Sequence, residues 1–354
     1  MWCKLSFAQK FRSTLPACVA ENWLSVVVVC RNEISNLPNL VSDLQNQTLA
    51  KQYWEAIFVD DASEDGSYQW LLAESRKVDF RLKVLQNSLS SHILSPKKRG
   101  ITAAIQEAEG VWIACTDADC RLPRTWLEKI FEASQNPDSS FISMPVKFSP
   151  THSCFEQWQA VEFASLIGSG AACIALGLPT MCNGANIAYR KEVFEQVGGF
   201  SGSEHIASGD DEFLMHKIAK QSAKGIQFVK SPQTTVATPA NTTWRAFFSQ
   251  RLRWASKWEQ YQNWFAKILA VFVFLVNICT IFLYIYQDFW TIVFKFSVEF
   301  IFLGLILHFL GQALLIAWIP FVFVFYPFYV VFFALFARKK EFSWKERAYK
   351  HTAQ

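Results

Sequence analysis

The stretch with the most chemical content is Val111-Trp112-Ile113-Ala114-Cys115-Thr116-Asp117-Ala118-Asp119. It reads as a short buried strand, entered through Glu109-Gly110 and left through two carboxylates. Alternate residues along a strand face the same side, so Asp117 and Asp119 are expected to point together. Paired carboxylates repel unless a positive charge lies between them. A hard cation, Mg²⁺ or Mn²⁺, takes oxygen ligands and is often held by one or two carboxylates plus substrate phosphates. The pattern predicts Asp117 and Asp119 as ligands of a metal–diphosphate. For an Asp-x-Asp taken alone, the competing reading is a strand end running into a solvated loop.

The elements around this stretch must position it. Ser25 to Cys30 is a continuous, mostly β-branched run, apolar on both faces, as in a parallel sheet covered by helices. Arg31-Asn32-Glu33 follows, and Ser35 to Gln47 has helical spacing through Leu37, Leu40, Val41 and Leu44. Trp54 to Val59 predicts a second strand, ending in Asp60-Asp61-Ala62-Ser63-Glu64-Asp65-Gly66-Ser67. A helix from Tyr68 to Lys77 then returns to a third strand, Leu82 to Gln86. Strand alternating with helix predicts a doubly wound α/β sheet. Ligands of such sheets bind outside the carboxyl ends of the strands. Asn32 and Glu33, Asp60 and Asp61, and Asp117 and Asp119 would share that rim, which favours a ligand site over mere strand ends.

Further along, Ser95 to Gly100 opens a helix, Ile101 to Glu109. Lys98 and Arg99 near its N-terminus are placed to meet phosphate, or else form a solvated basic loop. Pro123 predicts the start of a helix through Trp126, Leu127, Ile130 and Phe131, and Phe141 to Val146 a strand. Ser153 to Leu178 is apolar and rich in Gly and Ala, suiting a helix pair on the sheet or a surface near the membrane. Asn183-Gly184-Ala185-Asn186 leads to a helix, Lys191 to Gln196, and the turn Val197 to Phe200. Ser208-Gly209-Asp210-Asp211-Glu212 opens another helix, where acidic groups are favourable as simple caps.

Among the 354 residues 51% are hydrophobic, with 33 Phe, and the net charge of +4 argues against nucleic acid as a partner. Nine Cys without a Cys-x-x-Cys and six dispersed His predict free thiols in a reducing compartment and no zinc site. No secretory signal is expected at the start. Five segments are predicted: a basic lead-in (1–22), an α/β domain (23–243), a basic and aromatic interfacial segment (244–265), a membrane domain (266–337) and a basic tail (338–354). The candidate spans are 266–286, 289–310 and 314–337, with Lys295 and Glu299 one turn apart and Pro320 and Pro327 as kinks. Six Lys or Arg in the tail predict a cytoplasmic end. Three crossings from a cytoplasmic domain would place that tail outside. Either one candidate is interfacial or re-entrant, or the charge bias is overridden.

Taken in order, Val26 to Glu33, Val59 to Ser67, Thr116 to Asp119, Asn183 to Asn186 through Gly199-Phe200, Gly209 to Glu212 and Gln250-Arg251-Leu252-Arg253-Trp254 resemble a family 2 glycosyltransferase of the GT-A fold. The C-terminal helices resemble those of membrane-bound members such as cellulose, chitin and hyaluronan synthases and ceramide glucosyltransferase. The resemblance implies inverting transfer of a sugar from a nucleotide-diphosphate donor, a UDP-sugar being favoured. The acceptor would be a hydroxyl of a lipid or glycan at the cytoplasmic membrane face. Asn32, Glu33, Asp60 and Asp61 would bind the nucleoside, with Lys98, Arg99 and Asp117 on the rest of the donor. Asp119 would be the more direct ligand of Mg²⁺ or Mn²⁺. Asp211 corresponds to the general base. Asp210-Asp211 departs from the usual Glu-Asp, which leaves the choice between the two open. Gln250, Arg253 and Trp254 would touch diphosphate and acceptor, and Asn183, Gly184 and Asn186 would line the acceptor side. Other readings are a processive polysaccharide synthase of the same family, a metal-dependent nucleotidyltransferase, and a catalytically dead membrane scaffold, which would be expected to lose rim carboxylates.

Overall fold

The computed structural model describes residues 23–87, 95–204, 206, 208–336, 341–344 and 347–350. The lead-in 1–22 lies outside the described residues, as does the tail apart from the backbone of 341–344 and 347–350. Two compact units form. Within the described residues the first comprises 23–146 and 171–238, and the second 147–170 with the chain from 239 onward. Residues 147–170, inside the expected 23–243 domain, thus cluster with the C-terminal helices.

In the first unit the chain runs β1 (Leu24–Cys30), α1 (Leu37–Gln45), β2 (Trp54–Asp60), α2 (Ser67–Glu74), β3 (Arg81–Gln86), α3 (Pro96–Glu107), β4 (Trp112–Cys115), α4 (Trp126–Ser134) and β5 (Phe141–Ser143). After β6 (Val146–Phe148) and α5 (Cys154–Ala175) come β7 (Ile187–Arg190), α6 (Lys191–Gln196), α7 (Glu212–Ser222), β8 (Ile226–Phe228) and β9 (Val236–Thr238). The main sheet has seven strands in the order β3-β2-β1-β4-β7-β5-β8. β1 pairs in parallel with β2 and β4, and β2 with β3, while β7 runs antiparallel to both β4 and β5. The β-branched β1 is buried along nearly its whole length, and β2 along all of it, as expected of strands covered on both faces. In α1 the apolar positions Leu37, Leu40, Val41 and Leu44 are the buried ones. β1 lies between β2 and β4, so the strand order reverses there, and in open α/β sheets ligands bind beyond the strand ends at such a point.

Several local expectations are corrected. β4 ends at Cys115, and Asp117 to Asp119 form a turn in which the Cys120 N–H donates to the Asp117 carbonyl at 3.2 Å. The two carboxylates are therefore brought together by a turn and not by strand alternation. The stretch Phe141 to Val146 is broken at Pro145 into two short strands. The apolar run 153–178 forms one 22-residue helix, α5, in place of a pair.

The second unit holds α8 (Trp244–Ala255), α9 (Trp264–Tyr286), α10 (Phe289–Phe309) and α11 (Ile319–Phe336), followed by a backbone hairpin, β10 (Glu341–Trp344) with β11 (Arg347–Lys350). Among the described residues three helical stretches are long and apolar enough to cross a membrane: Trp264–Tyr286, Phe289–Phe309 and Ala313–Phe336, with mean hydropathies of 2.7, 2.0 and 2.3. The third begins as a 3₁₀ segment, Ala313–Trp318, before α11. Lys295 Nζ donates to Glu299 Oε1 at 2.6 Å, so the charges within α10 pair along the helix. Gly168 allows α5 and α10 to approach closely. A Cβ there would lie 2.0 Å from Ile306 Cδ1.

Candidate active site

The site is assembled where three strands end. Past β1, Asn32 adopts a left-handed φ of 53°, and past β2 so does Ala62, at 54°. Such conformations are uncommon for residues with a side chain and persist only when neighbours enforce them. The Asn32 N–H donates to Ser63 Oγ at 3.0 Å, and the Glu64 N–H donates to Asn32 Oδ1 at 2.9 Å. Arg31 Nη1 donates to the Asp61 and Ala62 carbonyls at 2.7 and 2.8 Å. The two strand ends are thereby locked into one rim. Glu33 is buried and accepts from Asn36 Nδ2 at 2.7 Å.

Asp60 and Asp61 are both buried but differ in partners. Asp61 Oδ1 accepts from Asn87 Nδ2 at 2.7 Å and faces Arg99 Nη2 at 3.4 Å, while Arg99 Nε donates to Asn87 Oδ1 at 2.9 Å. Asp60 Oδ2 accepts from the Ser63 N–H at 3.1 Å, but its Oδ1 is buried without a hydrogen-bond partner among the described residues. A buried carboxylate oxygen left unpaired is costly, and a ligand N–H would relieve it.

The acidic centre gathers around Lys97. Its Nζ lies 2.8 Å from Asp117 Oδ1 and 3.1 Å from Asp210 Oδ2. Burial opposes the Lys97 charge, but Asp117 and then Asp210 outweigh it and hold the ammonium well above its ordinary range. At Asp210, burial raises the carboxyl, yet the Lys97 charge and hydrogen bond prevail and leave it below the usual carboxylate value. Burial, and next the neighbouring Asp117, push Asp119 up to about 6. Asp211 caps α7. Its Oδ1 accepts from the Glu212 N–H and its Oδ2 from the Gly184 N–H, both at 2.7 Å. Gly184 packs closely against these charged groups. A Cβ there would sit 3.1 Å from Asp210 Oδ2, 3.3 Å from Lys97 Nζ and 3.4 Å from Asp211 Oδ2. Beneath this floor the Cys115 thiol, pushed up to about 12 by burial, meets the Tyr189 hydroxyl at 3.5 Å.

This geometry fits a hard divalent ion that shares its shell with a ligand. Asp117 and Asp119 supply carboxylate oxygens, and the Asp119 carboxyl is raised first by burial and then by the neighbouring Asp117. Among the described residues no group of three or more His, Cys, Asp or Glu side chains could hold a metal ion, so these two carboxylates could hold one only with ligands from elsewhere.

Some expected site residues are placed elsewhere. Lys98 is fully buried, its Nζ donating to the Ser203 carbonyl at 2.7 Å and lying over the Phe213 ring at 5.3 Å. The lysine among the carboxylates is Lys97, which sequence reasoning passed over. Consecutive residues on a helix point ~100° apart, and no local signal ranks three adjacent cations. Arg99 is also buried, in the Asp61–Asn87 cluster. Asn186 was expected on the acceptor side but is fully buried. Its Nδ2 donates to the Pro145 and Thr234 carbonyls at 2.7 Å each, and its Oδ1 accepts from Trp126 Nε1 at 2.8 Å. It clamps three segments together. Asn183 shapes the turn, its Oδ1 accepting from the Ala185 N–H at 2.9 Å.

The second unit carries Gln250, Arg253 and Trp254 on α8. Gln250 Oε1 accepts from Asn241 Nδ2 at 2.8 Å and from Arg251 Nη1 at 2.5 Å. The buried cation of this segment is Arg251, whose Nη2 donates to the buried Glu162 Oε2 at 2.5 Å. Its guanidinium lies over the Trp254 and Phe247 rings at 4.3 and 4.8 Å, so the Trp254 ring packs on Arg251.

Comparison with known proteins defines the class. The sequence profile of Glycosyl transferase family 2 matches residues 25–198, and that of Glycosyl transferase family group 2 matches residues 112–336. The second match takes in well over half of the chain, and the protein belongs to the family 2 glycosyltransferases. Among its relatives, Glycosyltransferase AglE of Haloferax volcanii is 23% identical over 56% of this chain and 60% of its own length. An uncharacterized glycosyltransferase of Haemophilus influenzae is 24% identical over 68% of this chain and 80% of its own. A dolichol-phosphate mannosyltransferase of Pyrococcus furiosus is 29% identical over 49% of this chain and 48% of its own. The chain thus spans 60% of the first of these relatives and about half of the last. A solved mannosyltransferase from Pyrobaculum calidifontis, in complex with GDP-Man and Mn²⁺, superposes with a TM-score of 0.51 at 19% identity. It covers 72% of this chain and 66% of its own, and the shared fold is GT-A-like.

Proposed function

We propose that the protein transfers a sugar from a nucleoside-diphosphate sugar to a hydroxyl of a membrane-carried lipid, one sugar at a time and with inversion. The observation that carries this reading is the convergence of Asp117, Asp210, Asp211 and Gly184 on Lys97 at the carboxyl edge of the sheet. The unpaired Asp60 oxygen offers an acceptor to a nucleobase N–H. Asp117 and Asp119 would hold Mg²⁺ or Mn²⁺, which, when bound, offsets charge on the departing diphosphate. The relative crystallised with GDP-Man and Mn²⁺ supports a metal-bound nucleotide-sugar donor. The dolichol-phosphate mannosyltransferases among the relatives, together with three helices fit to cross a membrane, support a lipid acceptor.

Asp211 suits the role of general base. Two backbone N–H groups fix its carboxylate, and a carboxylate oxygen that accepts one hydrogen bond can still take the acceptor proton. Asp210 is tied to Lys97, which weakens its hold on a proton. As Asp211 accepts the proton, the acceptor oxygen bonds to the anomeric carbon. The bond to the diphosphate breaks with its electron pair leaving on phosphate. Attack opposite the leaving group inverts the centre. The catalytic residues would then face the cytoplasm, where nucleotide sugars are made.

The test is to incubate membranes carrying the protein with a panel of nucleotide sugars and Mg²⁺ or Mn²⁺. Release of nucleoside diphosphate with a singly glycosylated lipid is expected. Pyrophosphate release would mark nucleotidyl transfer instead, and a ladder of products a processive synthase. Asp211→Asn should keep donor binding and lose transfer. If Asp210→Asn does so while Asp211→Asn stays active, the base is reassigned.

A further inference from the structure

We propose that Lys97 is a resident counter-ion that occupies the cation position of the carboxylate cluster until a metal-bound diphosphate replaces it. This rests on the nucleotide-sugar reading above.

The Lys97 ammonium bridges Asp117 and Asp210, one from the turn after β4 and the other from the loop before α7. Its side chain is 21% exposed, and of its partners Asp210 is 12% and Asp117 38% exposed, so solvent screens the Asp117 contact more than the Asp210 one. Gly184 leaves the space beside Nζ free of any side chain of its own. Asp117 is also one of the two residues, with Asp119, that would hold a divalent ion. An ammonium 2.8 Å from Asp117 Oδ1 and a divalent ion cannot share that oxygen without strong repulsion.

Loading the site therefore requires Lys97 to leave Asp117. It keeps its proton throughout, and no electrons move. Its new partners are the phosphate oxygens that arrive with the metal, with Asp210 retained or released. A free divalent ion offers no such partner and must displace Lys97 unaided. Metal and diphosphate consequently enter together, and Lys97 offsets part of the cluster's negative charge between turnovers.

The experiment uses the full chain in detergent, with Mn²⁺ alone as the first probe and free-ion spin resonance as the readout. Lys97→Met should bind Mn²⁺ alone about tenfold more tightly than the wild type, because the competing charge is gone. Lys97→Arg, which retains the charge, should bind it as weakly as the wild type. With Mn²⁺ saturating, Lys97→Met should bind UDP or GDP about tenfold more weakly. Equal or weaker binding of Mn²⁺ alone by Lys97→Met overturns the proposal. If that variant folds poorly without metal, its thermal midpoint decides. A larger rise on adding Mn²⁺ than in the wild type supports the counter-ion, and an equal rise refutes it. Should the wild type with Mn²⁺ bind neither UDP nor GDP, the nucleotide-sugar reading falls. The binding of Mn²⁺ alone by wild type and variant still decides the role of Lys97 in that case.

Discussion

Replacing Arg251 with methionine isolates the energetic role of one buried charge. Arg251 is 3% exposed and Glu162 2%, and the pair meets at 2.5 Å. Methionine keeps apolar contact with the Phe247 and Trp254 rings but leaves the Glu162 carboxylate without its cation. Breaking such a pair from one side costs about 3–5 kcal/mol. Tyr329 Oη still donates to Glu162 Oε1 at 3.1 Å, which favours the lower end of that range. The double variant Arg251→Met/Glu162→Gln removes both charges and keeps an acceptor for Tyr329. It should return to within about 1 kcal/mol of the wild type, since paired removal of buried ions is often neutral. Denaturant unfolding of the detergent-solubilised protein, followed by Trp fluorescence, measures all three. Wild-type stability in Arg251→Met would show that the charge is not buried as described. A double variant no more stable than the single would refute the ion-pair argument and place the loss in packing.

Three further outcomes test the site. Gly184→Ala has no left-handed φ to strain, but its methyl would press on Asp210, Lys97 and Asp211. Stability should change by less than about 1 kcal/mol, while transfer falls ~10–100-fold through small displacements of these groups. Both are read from a melting curve and an initial rate. Asp119→Asn should lower Mn²⁺-dependent transfer at least ~100-fold, with nucleotide release as the assay, because a neutral amide is a poorer ligand for a hard cation. Full activity would remove Asp119 from the metal site. Asn186→Ala leaves Trp126 Nε1 and the Thr234 carbonyl unpaired in a fully buried position, while the Pro145 carbonyl keeps the Val236 N–H at 3.0 Å. A loss of ~3 kcal/mol or more in unfolding stability is expected. A stable variant with weakened acceptor binding would instead return Asn186 to the acceptor surface.

The sequence alone was enough for the elements whose cause is local. A β-branched run buried on both faces can be only a covered strand, and β1 is one. Helical spacing of Leu37, Leu40, Val41 and Leu44 specified the buried face of α1. Runs of twenty apolar residues announced the C-terminal helices, and motif order announced the family. The sequence could not assign partners to polar side chains, because a partner comes from a distant segment that only folding brings near. Lys97, Lys98 and Arg99 are three cations in a row, yet tertiary packing sends one to Asp117 and Asp210, one to Ser203 and one to Asn87. In the same way Arg251 and not Arg253 meets Glu162, and Asn186 is bonded by Trp126. Apolar burial is written in periodicity along the chain. The direction of a charge is settled by where the opposite charge lies in space.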